Sequence, residues 1–188
     1  WFEKFINLNG KIKPFYFEKI VDVKKFENKI NFKISYNQSF IEYSELGLKY
    51  ISDISKIIKR YNGGLLIIDY GYSDEKMKNT LKGISNHKFV DILSNFGNID
   101  ISHNINFNLF KRFVKKLGGL KDNLTTQKNF LIKMGIRQRA EILSRNLNFY
   151  KKADIYYRLR RLIDEKQMGK LFKVMLIKKK ENKFKLGF

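Results

Sequence analysis

The chain has 188 residues, of which 43% are hydrophobic and 15% aromatic, enough to bury the core of one domain. It contains no cysteine, which excludes disulfides, thiolate metal sites and cysteine nucleophiles. The formal net charge of +21 suggests nucleic acid, an anionic membrane surface or an acidic protein as a partner. However, Lys, Asn and Ile recur along the whole chain and acidic residues lie between the basic ones, a pattern typical of compositional drift. The clearest basic clusters are residues 137 to 139, 158 to 161 and 178 to 180.

Residues 1 to 40 predict a β-rich lead-in, because short alternating apolar runs surround Asn9 and Gly10. An Asn-Gly pair between such runs is a strong signal for a two-residue hairpin turn. Pro14 lacks a backbone N–H, so it favours an edge strand or the start of a strand.

A helix from Ser44 to about Tyr61 is predicted next, with Ser44 as its N-cap. Its apolar face contains Ile51, Ile54, Ile58 and Tyr61, and the glycine pair at 63 and 64 ends it.

The apolar run from Leu65 to Ile68 predicts a strand covered on both faces, as in a parallel α/β sheet. Ligands of such sheets bind beyond the carboxyl ends of the strands, which is where Asp69, Tyr70 and Gly71 would lie. This strand end is therefore the candidate site.

The rest of the chain alternates between loop and helix signals. Residues 73 to 101 are polar and predict an irregular loop with one short helix. Asn106 can cap an amphipathic helix that Gly118 stops, and a brief strand around 120 to 124 follows. Helices are predicted at 126 to 134, 138 to 147 and 153 to 163, and a final strand is predicted at 171 to 177.

Several blocks resemble, in order and spacing, those of the MidA-like S-adenosylmethionine-dependent methyltransferases. This family includes the protein arginine methyltransferase that is a mitochondrial complex I assembly factor. The similarity covers roughly residues 42 to 178. The matching blocks are Leu66 to Tyr72, Thr80-Leu81, His87-Lys88, Asp100 to His103, Thr126-Gln127, Phe130-Leu131, Gly135-Ile136 and Met168 to Val174. Two positions depart from the family: Asn106 replaces the usual aspartate, and Lys121-Asp122-Asn123 makes an expected strand unusually polar.

The resemblance implies an α/β fold: the C-terminal half of a class I, Rossmann-like methyltransferase sheet with flanking helices and a β-hairpin lead-in. We expect one partial domain over residues 1 to 188, with the lead-in at 1 to 40 and the helix and strand portion at 41 to 188. Methyltransferases of this class bind their cofactor at a glycine-rich turn, and the chain contains no Gly-x-Gly. S-adenosylmethionine would then be bound mainly by an N-terminal half that precedes Trp1, and no residue here is assigned to cofactor binding.

Three residues are candidates for catalysis. Asp69 could hold an acceptor guanidinium in bidentate geometry, although an Asx turn would also explain it. Tyr70, like Tyr72, could line the pocket by stacking, or simply pack beside the strand. His103 and His87 are the only histidines, and each could act as a general base or as a hydrogen-bonded loop residue; the resemblance favours His103.

Other polar residues near these blocks have simpler alternatives. Without cysteine or a paired-histidine spacing, no metal site is expected. Glu42 could face the same cleft or favour the positive end of the following helix, and Thr126 is the favoured N-cap beside Gln127.

The expected function is that of the C-terminal portion of a methyltransferase acting on protein arginine, inactive alone. Its partners would be the N-terminal half of the same enzyme and a protein substrate such as a complex I subunit. A basic nucleic-acid-binding module and an inactive remnant of a split methyltransferase are the alternatives. With neither a leader nor an apolar run near the required eighteen residues, we expect a soluble protein, bacterial cytoplasmic or eukaryotic mitochondrial matrix.

Overall fold

A computed structural model describes residues 1–7, 14–95 and 97–188. Contacts between Cα atoms divide them into two compact units. The first unit contains residues 1–42 and 76–104, and the second contains residues 43–75 and 105–188.

The first unit begins with an antiparallel pair of strands, β1 (Phe2–Asn7) and β2 (Phe15–Ile20). Phe5 lies opposite Phe17, and their rings stack with centroids 5.4 Å apart. Pro14 immediately precedes β2, as expected for a strand start, while the predicted Asn9-Gly10 turn lies outside the described residues. A helix that the β-rich prediction missed follows: α1 (Val23–Ile30), with Asp22 as its N-cap.

A three-stranded antiparallel sheet completes this unit, in the order β5-β4-β6. Its strands are β4 (Lys82–Ser85), β5 (Lys88–Val90) and β6 (Asp100–Ser102). The prediction of an irregular loop over 73 to 101 is therefore wrong at 82 to 85, 88 to 90 and 100 to 101, which form strands. Strands of three or four residues are too short for their alternation to be recognised, and the turn between β4 and β5 uses Asn86 and His87 rather than glycine. Both have left-handed φ values, 48° and 61°, as a two-residue type I′ turn requires.

The second unit contains a four-stranded sheet in the order β7-β3-β9-β8. Its strands in chain order are β3 (Gly64–Tyr72), β7 (Ile105–Asn106), β8 (Leu120–Thr126) and β9 (Phe172–Lys179). Strand β9 is antiparallel to both neighbours. Strand β3 is parallel only to β7, through Gly71 and Tyr72.

The prediction that residues 65 to 68 are covered on both faces is wrong within the described chain. Leu66 and Ile68 are 46% and 47% exposed, whereas Leu65 and Ile67 are partly buried. Burial alternates because successive side chains of a strand point to opposite faces. One face of β3 is thus left largely uncovered by the described residues.

Six helices accompany this sheet. They are α2 (Glu45–Tyr61), α3 (Phe107–Leu117), α4 (Gln127–Lys133), α5 (Ile136–Ser144), α6 (Phe149–Ile163) and α7 (Met168–Leu171). The predicted caps are confirmed: Ser44 Oγ accepts from Gly47 N at 3.0 Å, and Asn106 Oδ1 accepts from Leu109 N at 3.0 Å. Ile51 and Ile58 are buried as predicted, but Tyr61 is 68% exposed.

The core of the second unit is centred on β9 and α3. Val174, Met175, Leu176 and Ile177 are all at most 6% exposed. Phe107 and Val114 of α3 are fully buried. The alternation of burial seen in β3 is absent from β9, which has a paired strand along most of its length on both sides.

Candidate functional site

Asp69 and Tyr70 lie within β3, which continues to Tyr72 rather than ending at the carboxylate. As neighbours on a strand they point to opposite faces of the sheet. The Tyr70 ring packs against Phe172 of β9, with centroids 4.0 Å apart. The structure therefore does not bring the predicted pair together on one face, and the packing alternative describes Tyr70.

The Asp69 carboxylate is exposed, and its Oδ1 accepts a hydrogen bond of 2.7 Å from the adjacent Tyr70 N. This contact is purely local and leaves the second carboxylate oxygen available to a ligand. A carboxylate with that freedom can accept a guanidinium or ammonium group in a charge-assisted hydrogen bond.

Lys173 is the residue of β9 opposite Asp69 in the strand register. Burial lowers the pKa of Lys173, and the neighbouring Lys170 charge lowers it further, while the Asp74 carboxylate acts in the opposite direction. Its Nζ donates to Lys170 O at 2.5 Å. The sequence did not single out Lys173, because its place opposite Asp69 depends on the antiparallel β3 to β9 register.

Gly71 is required by the close approach of β7 and α3. A Cβ atom at this position would lie 2.7 Å from the Phe107 ring and would also overlap Ile105 O. The glycine of the predicted strand-end block therefore has a packing role, in agreement with the simpler explanation of that residue.

Asn106 joins the start of α3 to the segment after β3. It is 6% exposed; its Oδ1 caps the helix at Leu109 N, and its Nδ2 donates to Asp74 O at 3.4 Å. Aspartate, the residue usual in the resembling family, could accept the first hydrogen bond but could not donate the second. The amide therefore suits both contacts in this chain.

The two histidines lie in the first unit. His103 is exposed, and its side chain makes no hydrogen bond to any residue in the described ranges. His87 occupies the turn between β4 and β5, which agrees with its reading as a loop residue. The role of His103 as a general base remains a prediction.

Glu42 has a definite structural role, which the sequence left open. Its carboxylate accepts hydrogen bonds from Thr80 N at 2.9 Å, Leu81 N at 3.0 Å and the Thr80 hydroxyl. Thr80 Oγ1 in turn accepts from Asn104 N at 2.8 Å. The Thr80-Leu81 block is therefore held by Glu42, so this carboxylate is committed to loop structure.

Gln127 also has a structural role. It is 8% exposed, and its Nε2 donates to Leu162 O at 3.0 Å, which links α4 to α6. Thr126 caps α4 by accepting from Asn129 N at 3.3 Å, as the favoured alternative predicts.

The glycines of the second unit do not form a cofactor-binding turn. Such a turn leads from a strand into a helix. Gly63 and Gly64 instead lead from α2 into β3, and Gly118 caps the end of α3. The glycines at 63, 64 and 118 thus do not supply the turn that S-adenosylmethionine requires.

Members of two basic clusters are already paired or buried. Arg158 pairs with Asp154 at 2.9 Å and Arg160 with Asp164 at 3.5 Å, both along α6, and Lys178 is buried. Within residues 1–7, 14–95 and 97–188, no group of three or more His, Asp or Glu side chains could hold a metal ion. No helix in those ranges is long and apolar enough to cross a membrane.

A family model described as "Putative S-adenosyl-L-methionine-dependent methyltransferase" matches residues 1–124. Among curated proteins, "Protein arginine methyltransferase NDUFAF7, mitochondrial" of Xenopus tropicalis is 32% identical over 124 residues, covering 65% of this chain and 28% of that protein. The Xenopus laevis protein of the same name is 28% identical over 181 residues, covering 87% of this chain and 40% of that protein.

The fold matches a solved COG1565 superfamily protein from Burkholderia thailandensis bound to S-adenosyl-homocysteine, with a TM-score of 0.76 and 17% identity. That match covers 100% of this chain and 50% of the other. The mixed α/β architecture is therefore that of a Rossmann-like methyltransferase, as the sequence predicts. The chain spans half or less of the length of these relatives.

Proposed function

This chain belongs to the S-adenosyl-L-methionine-dependent methyltransferase family, and we propose that it is the C-terminal, acceptor-side portion of a protein arginine methyltransferase. The arginine specificity is suggested by the name of the two Xenopus relatives. The cofactor-binding portion is supplied by an N-terminal half of the same enzyme. The match to half of a structure that binds S-adenosyl-homocysteine carries this proposal.

Asp69 is the residue proposed to bind the acceptor. Its exposed carboxylate has one oxygen free of hydrogen bonds to the described residues, so it can hold one edge of a guanidinium group. Holding the acceptor nitrogen in line with the transferred methyl group accelerates the reaction by positioning. Tyr70, on the other face, contributes to packing rather than to the same contact.

The uncovered side of β3 supports the proposed N-terminal half as a partner. Among the described strands, residues 64–70 pair with β9 alone, because β7 joins only Gly71 and Tyr72. Leu66, Ile68 and Tyr70 expose 46%, 47% and 39% of their surface. A long apolar strand with a free edge is a ready template for another strand, and a stable protein normally covers it.

We also propose the substrate and the cellular compartment from the names of these relatives. The acceptor is an arginine side chain of a protein, with complex I subunits as the first candidates. The curated relatives are named as mitochondrial, so a eukaryotic enzyme would act in the mitochondrial matrix and a bacterial one in the cytoplasm.

Fragment complementation tests this function. Residues 1 to 188 are co-expressed with the N-terminal half of the Burkholderia relative, and methyl transfer from labelled S-adenosylmethionine to arginine is measured on recombinant complex I subunits. We expect activity from the complex and none from either half. Asp69→Asn should reduce the rate roughly a hundredfold, whereas Asp53→Asn, at an exposed carboxylate paired with Lys56, should leave it unchanged.

Two results would contradict the proposal. Tight binding of S-adenosylmethionine by residues 1 to 188 alone, measured by calorimetry, would show that no other half is needed. A stable complex of both halves that binds the cofactor but transfers no methyl group would instead favour the inactive remnant.

A further inference from the structure

A pocket opens at the start of β3, at the opposite end of that strand from Gly71 and Tyr72. It lies within the second unit, between the turn after α2, the strand pair β3 and β9, and the segment that follows β9. Its lining residues are Asn62, Gly63, Gly64, Leu66, Leu176, Lys178, Asn182 and Phe184. The pocket is separate from the candidate acceptor site, because Leu66 and Asp69 point to opposite faces of β3.

Lys178 is the one charged residue in this lining, and it is only 2% exposed. A lysine ammonium has three N–H donors. In the structure, Lys178 Nζ donates to Phe184 O, and no carboxylate of the described chain lies within ion-pair distance of it. A buried ammonium that satisfies one donor of three lacks the partners that such groups normally have.

The charges that act on Lys178 are also positive. Lys121 lies opposite it on β8, and Lys185 belongs to the segment that follows β9. Burial lowers the pKa of Lys178, and the charges of Lys121 and Lys185 lower it further. Glu181, the acidic residue of the same segment, is exposed and does not pair with Lys178. The charges that act on Lys178 are thus positive, and no carboxylate compensates it among the described residues.

The remaining wall of the pocket is apolar. Leu66, Leu176 and Phe184 contribute side chains, and Leu66 and Phe184 are 46% and 55% exposed. Gly63 leaves open space, since a Cβ atom there would have no heavy atom within 4 Å. A ligand could therefore place a charged end against Lys178 and an apolar body against the leucines.

We propose that this pocket binds a phosphate monoester that carries an apolar group. A phosphate monoester carries two negative charges and more acceptor oxygens than a carboxylate, so it can compensate the buried Lys178 ammonium more fully. The phosphate oxygens accept the two unused N–H donors of Lys178. Binding here requires neither Asp69 nor the cofactor, and because Leu66 also belongs to the face proposed to dock the N-terminal half, it is measured on residues 1 to 188 without that half.

The test titrates residues 1 to 188 with phenyl phosphate, inorganic phosphate and benzoate, following the amide signals of Gly63, Gly64 and Asn182 by nuclear magnetic resonance. We expect saturable binding of phenyl phosphate, with inorganic phosphate about fivefold weaker for lack of an apolar body. Benzoate should bind at least about tenfold more weakly than phenyl phosphate, since it makes fewer charge-assisted hydrogen bonds.

Lys178→Met should weaken phenyl phosphate binding at least about tenfold through loss of charge-assisted hydrogen bonds. Lys183→Gln is the matched control, because it removes the same charge from an exposed residue of the same segment. Equal affinity of Lys178→Met and Lys183→Gln would assign the binding to overall charge and overturn the proposal. The absence of saturation in the unsubstituted chain, or benzoate binding as well as phenyl phosphate, would overturn it too. If Lys178→Met does not fold, Lys121→Gln should weaken phenyl phosphate binding more than Lys183→Gln does, because Lys121 lies opposite Lys178 on β8, and an equal effect of these two variants would overturn the proposal.

Discussion

The two central strands of the sheet have similar apolar sequences but very different surroundings. In β9, Val174 to Ile177 are at most 6% exposed, whereas Leu66 and Ile68 of β3 are nearly half exposed. Strand β9 has a neighbour on both sides, and β3 shares most of its length with β9 alone. An apolar run therefore does not by itself indicate burial within this chain. In β3 it identifies a surface that another part of the enzyme can cover.

The cross-strand pair Ile68 and Val174 gives the strongest test of this difference. Val174→Asp buries an unpaired carboxylate at a fully buried position and should destabilise the chain by at least about 3 kcal/mol. Ile68→Asp places the same group on the exposed strand and should cost about 1 kcal/mol. Urea denaturation measures both. Equal losses would mean that the β3 face is already covered in the isolated chain.

The same Ile68→Asp variant should prevent assembly with the N-terminal half, although the chain itself remains folded. Size-exclusion chromatography of the co-expressed halves reports this outcome directly. Normal assembly of the variant would show that the open face of β3 is not the docking surface.

Gly71→Ala tests the tightly packed end of β3. The added methyl group would overlap Ile105 O and the Phe107 ring, so we expect a loss of about 1 to 3 kcal/mol in the free energy of unfolding. Gly63→Ala, at the open end, should change it by less than about 0.5 kcal/mol, since nothing lies near the added atom. A similar loss at both glycines would contradict the contrast between the two ends.

Asn106→Ala and Asn148→Ala remove the N-caps of α3 and α6, two helices that differ in burial. Asn106→Ala removes the cap of α3 and the tie to Asp74 O, so thermal unfolding should show a loss of about 2 kcal/mol. Asn148→Ala removes the cap of α6, which buries no side chain, and should cost about 1 kcal/mol or less. The loss of stability caused by Asn106→Asp should lie between those of the two alanine variants. Aspartate keeps the helix cap but cannot donate a hydrogen bond to Asp74 O. An equal effect of the two alanine variants would make the Asp74 contact unimportant.

The sequence predicted the elements whose signals are local. Ser44 and Asn106 mark the starts of α2 and α3 because a side-chain cap and helical periodicity coincide there. Strand β9 was recognised from its continuous apolar run. The short strands β4 to β6 were missed, since three or four residues show little alternation and their turn uses Asn86 and His87.

The site was predicted less completely than the fold. The strand that carries Asp69 was found, but its antiparallel register with β9 was not, and that register places Lys173 opposite Asp69 and Phe172 against Tyr70. The alternation of a strand that continues to Tyr72 also separates Asp69 from Tyr70. Long-range pairing fixes these relations, and they have no local signature in the residues themselves. The same reason explains why Lys178, one of several lysines in a basic run, could not be recognised as buried.

The smallest expected effect is on the pH dependence of stability, and it comes from Lys178 in β9. It extends the comparison of β9 with β3 from apolar side chains to a charged one. Burial lowers the pKa of Lys178 in the folded chain, with Lys121 and Lys185 acting in the same direction, so between the folded and unfolded pKa values the unfolded chain binds more protons. Stability contributed by this residue should therefore rise as pH increases through that window, which ends near the ordinary lysine pKa of about 10.4. Lys178→Met should remove this rise and be neutral or stabilising at pH 7, since it replaces a buried charge with an apolar side chain. Urea titrations of both proteins at several pH values, with Lys183→Gln as control, measure the difference. If Lys178→Met and Lys183→Gln show the same pH dependence, the ammonium of Lys178 is as well solvated as that of the exposed Lys183. The burial that distinguishes β9 from β3 would then not extend to the last residues of β9.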